Sequence, residues 1–398
     1  MAIALTVLSL VPGTRGMDEV AASTRATPLH GQTGQWVNVT PPGATIGRFG
    51  TANIVSDPSR SSDMYSAFPE GLWRSVDYGL TWSGPINTGT GSAGLSSSSG
   101  LGIAAGAGSG PPVLYSAGIQ GGGMGFWRSL DGGVDWTNYN IAPAASDRQD
   151  VYPPVVDPYD GTHLLMAAHE LNAIYQSTDG GQNWTSVPLA AGMNQPGGTA
   201  GIFFINTGNA SATRTTWLWM AQGSGGAYGP WRTSNAGASW TQVDTNEHPH
   251  GNAQIYQPDT NGVVYMAGIY SALGWGVLRS TDYGQTWTHV GASTGEAIVF
   301  GTPNNVYAGY GWACGIGCDV DPNLENAPQP GIAGWSSSPQ PAGMAQGPGQ
   351  AAVVYDGTQW IVVTANWSSG LWRYAEATSE LDTSLSTPTP AETPASAA

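Results

Sequence analysis

The sequence predicts an all-β protein, a seven-bladed β-propeller built of four-stranded antiparallel blades. Three observations predict it. One eleven-residue pattern recurs five times along the 398 residues. Its copies are spaced at the length of one propeller blade. The final apolar segments also lack a last strand that the first apolar segment can supply.

The pattern reads LWRSVDYGLTW from Leu72, FWRSLDGGVDW from Phe126 and IYQSTDGGQNW from Ile174, then PWRTSNAGASW from Pro230 and VLRSTDYGQTW from Val277. Its Ser/Thr positions are 75, 129, 177, 233 and 280, giving spacings of 54, 48, 56 and 47 residues. That is the range of a four-stranded blade. Within each copy, Ser/Thr-x-Asp/Asn-x-Gly-x-x-Trp has the chemistry of a hairpin turn. The carboxylate accepts backbone N–H groups, and the glycine adopts a conformation costly for other residues. The tryptophan packs back on the sheet and supplies buried area. Asp77, Asp131, Asp179 and Asp282, with Asn235 in the fourth copy, are therefore read as structural. Arg74, Arg128, Arg232, Arg279 and Arg373 belong to the same motif.

Blade number follows from spacing. The next GLWRY begins at Gly370, and Arg279 to Arg373 is 94 residues, twice the repeat. A degenerate blade belongs between them, with strands EAIVFG from Glu296, NVYAGYGWA from Asn305 and GWSSS from Gly334, and an irregular Cys/Pro-rich loop. The last blade offers QAAVVYDG, QWIVVTAN and GLWRYAE but no fourth strand. QWVNVT from Gln35 matches QNWTSV and SWTQV and completes it, which closes the ring and removes the sheet edge. Six blades is the alternative, if residues 310–345 are an insertion.

The expected organisation is a leader-like segment over 1–33, one propeller domain over 34–376, and a Ser/Thr/Pro-rich disordered tail over 377–398. Met1–Val11 resembles the apolar region of a secretory signal, without the positive start. Sequons at Asn38, Asn183, Asn209 and Asn366 add to an expectation of secretion. Cys314 and Cys318 form a lone C-x3-C, read as a local disulfide with free thiols as the alternative; a structural zinc would need more ligands.

Charge narrows the partners. All 11 basic residues are arginines, and 27 acids leave a formal net charge of -16. Nucleic acid, which requires a cationic footprint, is excluded, and adsorption to anionic membranes is disfavoured. No apolar run is long enough to span a bilayer. A monomer is expected, with no cofactor and no metal site. The 17 Trp and 16 Tyr are too many for a solvated coil.

The S-x-D-x-G-x-x-W form resembles the Asp-box, or BNR, repeat of the sialidase-like propeller superfamily, over roughly residues 34–376. The resemblance implies that these turns join third and fourth strands on the face away from the ligand. The superfamily includes sialidases, arabinan-cleaving exo-enzymes, xyloglucan-active hydrolases, sortilin-type receptor domains and some lyases. Sialidases grip a carboxylate with three arginines and carry an Arg-Ile-Pro segment. Here the comparable place reads IGRFGTA, with Arg48 and no Ile-Pro, so a sialidase is not expected. Xyloglucan-active members generally have two propellers and a DIGG-type signature, and this chain shows neither.

Candidate site residues lie on the opposite loops, around the channel mouth. AAHELNA places His169 and Glu170 after an apolar strand, and DTNEHPHGNAQ packs Asp244, Glu247, His248 and His250 together. Arg48, Asp150, Tyr270, Trp275, Trp312 and Trp367 fall on comparable loops. Glu170 and Glu247, with Asp150 in reserve, are candidates for the acid and base of glycoside hydrolysis. His169, His248 and His250 would tune them or hold hydroxyls, and the loop tryptophans suit sugar rings.

The leading expectation is a secreted glycoside hydrolase on a neutral or weakly charged polysaccharide. A polysaccharide lyase using His250, Tyr270 and Arg48 is the alternative. A lectin-like or cell-surface binding propeller is the third reading. The loops differ from blade to blade while the turns repeat, which favours one central site.

Overall fold

A computed structural model describes residues 33–46, 53–92, 99–118, 125–141, 150–168, 171–193, 201–221, 229–245, 254–267, 276–291, 298–309, 323–344, 347–366 and 369–377. Those residues form seven antiparallel sheets. Blade 1 holds β2 (Val55–Asp57), β3 (Arg60–Phe68) and β4 (Gly71–Ser75). Blade 2 holds β5 (Ser99–Ala104), β6 (Val113–Gly118), β7 (Gly125–Ser129) and β8 (Thr137–Tyr139). Blade 3 holds β9 (Val155–Asp157), β10 (Asp160–Ala167), β11 (Ile174–Ser177) and β12 (Thr185–Val187). Blade 4 holds β13 (Ile202–Phe204), β14 (Trp217–Ala221), β15 (Gly229–Thr233) and β16 (Thr241–Gln242), with the short helix α1 (Ala210–Thr213) before β14.

Blade 5 holds β17 (Val264–Ala267), β18 (Val277–Ser280) and β19 (Thr288–Gly291). Its inner position is taken by a single bridge, Tyr256 to Tyr265. Blade 6 holds β20 (Ile298–Gly301), β21 (Asn305–Gly309), β22 (Asn323–Pro328) and β23 (Ser336–Pro339). Blade 7 orders β1 (Trp36–Asn38), β26 (Gly370–Ala375), β25 (Trp360–Asn366) and β24 (Pro348–Tyr355). Its outer strand comes from the other end of the chain, pairing Trp36 with Tyr374 and Asn38 with Trp372. The seven-bladed count stands. Residues 310–345 are not an insertion alone, because β22 and β23 lie in them.

Details of the blades differ from the sequence reading. The expected irregular loop of blade 6 contains a strand, β22, paired along its length with β21. Its Asn, Glu and Pro content gave no β signal. His163 lies inside β10 and is fully buried. Arg214 follows α1 as its C-cap. In blade 1 a fourth strand is reduced to one bridge, Arg74 to Ser83; Pro85, soon after it, has no N–H to extend the ladder.

The core is distributed between blades. Leu218, Met220, Val264, Met266 and Leu278 fill the seam of blades 4 and 5. Ile298, Phe300, Tyr307 and Val362 fill that of blades 6 and 7. The motif turns dock on the preceding blade. A Cβ on Gly181, at φ 84°, would lie 2.0 Å from the Phe126 ring, so only glycine fits. Motif arginines tie one blade to the next blade's turn. Arg128 donates to the carbonyl of Gly180 at 3.1 Å, Arg232 to Tyr283 at 2.8 Å and Arg373 to Tyr78 at 3.0 Å.

Candidate active-site face

The two ends of the propeller are built differently. At one end, each copy of the motif closes a turn with the same bonds. The Ser177 hydroxyl donates to Asp179 Oδ1 at 2.8 Å and receives the Gly181 N–H at 2.9 Å. Asp179 then accepts the N–H groups of Gln182 and Asn183 and the Asn183 amide. Asp77, Asp131 and Asp282 accept equivalent bonds. Asn235 does so with its Oδ1, accepting from Thr233 and Ser239. Partial burial raises the carboxyl pKa of Asp131, Asp179 and Asp282, but the hydroxyl and backbone donors outweigh it and hold all three below the ordinary value. These carboxylates are fully engaged within their own turns.

At the other end, second and third strands finish in register. Phe68 faces Gly71, Gly118 faces Gly125, Ala167 faces Ile174 and Asn366 faces Gly370. The loops leaving these ends carry the candidates. His169 and Glu170 follow Ala168, Tyr270 and Trp275 lie between β17 and β18, Trp312 between β21 and β22, and Trp367 after Asn366. Arg48, Glu247, His248 and His250 lie on segments entering the inner strands. All of these residues, with Cys314 and Cys318, lie outside the described residues.

Asp150 is the one catalytic candidate that is described. It is half-buried and stands at the seam of blades 2 and 3. The next residue, Val151, donates its N–H to Gly118 at 3.4 Å and bridges to Ala168. Tyr152 N–H bonds Ala167 at 2.9 Å. The loop holding His169 and Glu170 is pinned at its base, where Ala168 N–H meets the carbonyl of Ala173 at 3.0 Å. Asp150 and the His169–Glu170 segment thus leave opposite strands of one bridged pair.

Sequence reasoning missed the amides at the inner strands' loop-side ends. Asn53, buried, accepts the Ala67 N–H at 2.8 Å. Gln350 accepts the Ile54 N–H at 2.9 Å, joining blades 7 and 1. Gln254 accepts the Ala351 N–H at 3.0 Å, so blades 5 and 7 approach within reach of one side chain. A polar amide at the inner position of blades 1, 5 and 7 was the available signal. Glu70, exposed on a loop of the same face, accepts the Thr45 N–H at 3.1 Å. Slight burial raises its pKa, but the bonds from Thr45 prevail and lower it.

His163 does not join the histidine-bearing loops. Its Nδ1 meets Asp157 Oδ2 at 2.9 Å and its Nε2 meets Gln176 Nε2 at 2.8 Å. Among the described residues, no group of three or more His, Cys, Asp or Glu could hold a metal ion, and no helix is long and apolar enough to cross a membrane.

The fold and this loop face define a seven-bladed propeller with one variable end, and the comparisons point to polysaccharide-degrading relatives. No protein-family profile matches the chain. It is 24% identical over 226 residues to a probable oligoxyloglucan-reducing end-specific xyloglucanase of Neosartorya fischeri, covering 54% of this chain and 25% of that protein. It is 29% identical over 184 residues to a Paenibacillus xyloglucanase, covering 40% and 17%. The chain thus spans a quarter or less of the length of these curated relatives. Among solved structures, an ancestral GH74 enzyme superposes with a TM-score of 0.58 at 17% identity, over 84% of this chain and 51% of that one. The GH74 xyloglucanase from Xanthomonas campestris gives 0.54 at 16%, over 85% and 55%. YCF48 from Cyanidioschyzon merolae gives 0.53 at 13%, over 85% and 98%. These structural likenesses concern the fold. The xyloglucan-active proteins set aside on propeller number and one signature are thus similar to this chain over part of its length.

Proposed function

We propose that the loop face is the working face of a glycoside hydrolase of the sialidase-like Asp-box superfamily, acting on a neutral, xyloglucan-type polysaccharide. One observation carries the reading: the partial sequence similarity to xyloglucanases in a chain whose turn end repeats and whose loop end does not. Glu170 and Glu247 are the proposed acid and base, with Asp150 in reserve beside the bridge to Ala168. A separation of about 5–5.5 Å between the two carboxyls would give retention, and about 6.5–9.5 Å inversion. Gln254 and Gln350, half-buried, stand where amides could meet sugar hydroxyls, and Arg48, His169, His248, His250, Tyr270, Trp275, Trp312 and Trp367 would complete the binding surface. The proposed working unit is a secreted monomeric propeller over 34–376. A net charge of -16 fits a neutral substrate better than a uronate, which it would repel.

The test is product analysis by mass spectrometry, on xyloglucan and a panel of neutral and uronate-containing polymers. Products carrying an added water, lost in a Glu170→Ala, Glu247→Ala double variant, support the proposal. Unsaturated products would overturn it in favour of β-elimination. Binding without any product would make the propeller a recognition module.

A further inference from the structure

The seam between blades 6 and 7 contains a cavity of about 160 Å³. Its lining runs from Phe300 on the inner strand β20 to Trp36 and Ser338 on the outer strands β1 and β23. Its wall includes Trp36, Tyr307, Asn326, Ser338 and Tyr374.

The topology explains why a cavity forms here. In blades 1, 2, 3 and 5 the fourth-strand tryptophan follows its turn directly. Its indole N–H bonds the carbonyl of the motif glycine: Trp82 to Gly79 at 3.1 Å, Trp136 to Gly133 at 2.9 Å, Trp184 to Gly181 at 2.9 Å and Trp287 to Gly284 at 3.1 Å. Trp36 holds the same place in blade 7, but its strand enters from the other end of the chain. No motif glycine precedes it, and its N–H makes no hydrogen bond to a described residue.

The wall has the chemistry of a sugar site. Trp36 and Tyr374 lie 5.2 Å apart at 32°, giving an aromatic platform, and Tyr307 stands edge-on to Tyr374 at 6.1 Å. Around this platform are neutral polar groups. Asn326 uses its Oδ1 on Ser336 at 2.8 Å, leaving its amide hydrogens for a ligand. The Ser338 hydroxyl donates to Leu324 at 3.2 Å, leaving lone pairs to accept. Of the two nearby carboxylates, Glu325 lines the cavity and Glu376 does not. Glu376, behind Tyr307, already accepts from Thr302, Asn304, Asn305 and Tyr307. Glu325, buried and paired in register with Ala308, is part of the cavity wall together with that alanine. An aromatic platform ringed by amide, hydroxyl and carboxylate groups offers a polyhydroxylated ring both a stacking face and partners for its hydroxyls, and the carboxylate disfavours an anionic sugar. The volume is well below the roughly 300–1,000 Å³ of drug-sized sites, so it suits one ring.

We infer that this ring-closing seam binds a single neutral pyranose unit, stacked on Trp36 and Tyr374 and held by Asn326, Ser338 and the Trp36 N–H. None of its lining residues is one of the loop candidates, and binding here does not depend on activity there.

The test is an indole N–H titration of the full chain by NMR, with the Trp36 signal assigned by its loss in Trp36→Phe. The probes are methyl xylopyranoside, methyl glucopyranoside and tetramethylammonium chloride. The expected result is a saturable shift of the Trp36 signal by at least one glycoside, with Kd of about 1–10 mM. Asn326→Ala and Ser338→Ala should each weaken it roughly three- to tenfold. The Glu170→Ala, Glu247→Ala variant should leave it unchanged, separating this site from the loop face. If Trp36→Phe does not fold, ligand-observed saturation transfer on the Asn326 and Ser338 variants reads the same loss. No saturable glycoside binding, binding unaffected by the Asn326 and Ser338 variants, or a response to tetramethylammonium alone would each overturn the inference.

Discussion

Tyr307 donates its hydroxyl to Glu376 Oε1 at 2.6 Å across the seam where the ring closes. Glu376 stands in GLWRYAE where Asp77 stands in GLWRSVD. In blade 1 the carboxylate folds its own turn, accepting from Ser75 and Thr81. In blade 7 it is one methylene longer and addresses blade 6, accepting also from Thr302 at 2.9 Å and Asn304 at 3.0 Å. The same position has changed from closing a hairpin to joining two blades. Burial first, then the carboxylate, raises the Tyr307 hydroxyl pKa far above the ordinary value, so it stays a donor across the working pH range.

That bond should carry measurable stability. Tyr307→Phe removes one donor from a carboxylate only 4% exposed. The expected loss is about 1–3 kcal/mol, the usual cost of an unmet buried polar group. Glu376→Ala should cost more, because it strands the donors of Thr302, Asn304, Asn305 and Tyr307 together. Urea unfolding of the two variants checks the order; equal stability of Tyr307→Phe and the parent would remove the clasp.

The repeated turns predict a contrast between blades 3 and 4. Asp179→Ala leaves the Gln182 and Asn183 N–H groups and the Ser177 hydroxyl without their acceptor. A loss of about 1–2 kcal/mol follows, reduced from the buried case because these groups reach water. Asn235→Asp should be near neutral, since Oδ1 keeps its bonds and the Ser239 hydroxyl can turn to donate, as Thr81 does to Asp77 at 2.6 Å. Thermal unfolding of both variants is the measurement. Under the proposed function, polysaccharide turnover by folded protein should be unchanged in either.

Much of this architecture was legible because the motif is local chemistry repeated. The turn needs Ser/Thr, Asp/Asn and Gly at fixed offsets, and blade number follows from spacing. The outer strand of blade 7 was readable because Trp36 keeps the residue pattern of its counterparts. β22 was not, since Asn323–Pro328 has no β-branched residue and becomes a strand only by pairing with β21. The burial of His163 was not legible either, because its polar partners, Asp157 and Gln176, are neighbours only after β9, β10 and β11 pair. The candidate site was legible only as a set of loops. Its residue types were visible, but nothing local sets distances between carboxylates on different blades.

Glycine requirements in these turns have two separable causes, and one pair of variants distinguishes them. Gly181 has φ 84° and a Cβ there would strike the Phe126 ring at 2.0 Å. Gly192 has φ 89°, with nothing within 4 Å. Gly192→Ala should cost only the left-handed backbone, about 1–2 kcal/mol. Gly181→Ala adds the collision and should cost about 1–3 kcal/mol more. Chemical denaturation of both tests the difference. Equal losses would mean that the Phe126 contact yields easily.

Blade 3 departs from the motif in having Gln176 where other copies have Arg, and this predicts its response to acid. The Gln176 amide meets His163 Nε2, while Asp157 faces Nδ1. A donor on Nε2 and a carboxylate on Nδ1 fit a neutral ring with its proton on Nδ1. Phe204, at 4.9 Å, and Trp217 enclose it, and the nearby charges are Asp157, Asp160 and Arg214. Burial lowers the His163 pKa and outweighs the support from Asp157. The folded state therefore binds fewer protons than the unfolded state, whose histidine titrates near about 6.5. Stability from this group is complete above that value and falls as pH drops below it, by at most about 1.4 kcal/mol per pH unit. The turn carboxylates, whose pKa values are lowered, give stability that is complete above the ordinary carboxylate range and is lost only as pH falls below about 4, so the two windows do not overlap. Between about pH 5 and 6.5 the melting temperature should fall with acid in the parent. In His163→Gln that slope should be shallower, because the proton-binding difference has gone. A slope unchanged by the substitution would show that other groups govern this range.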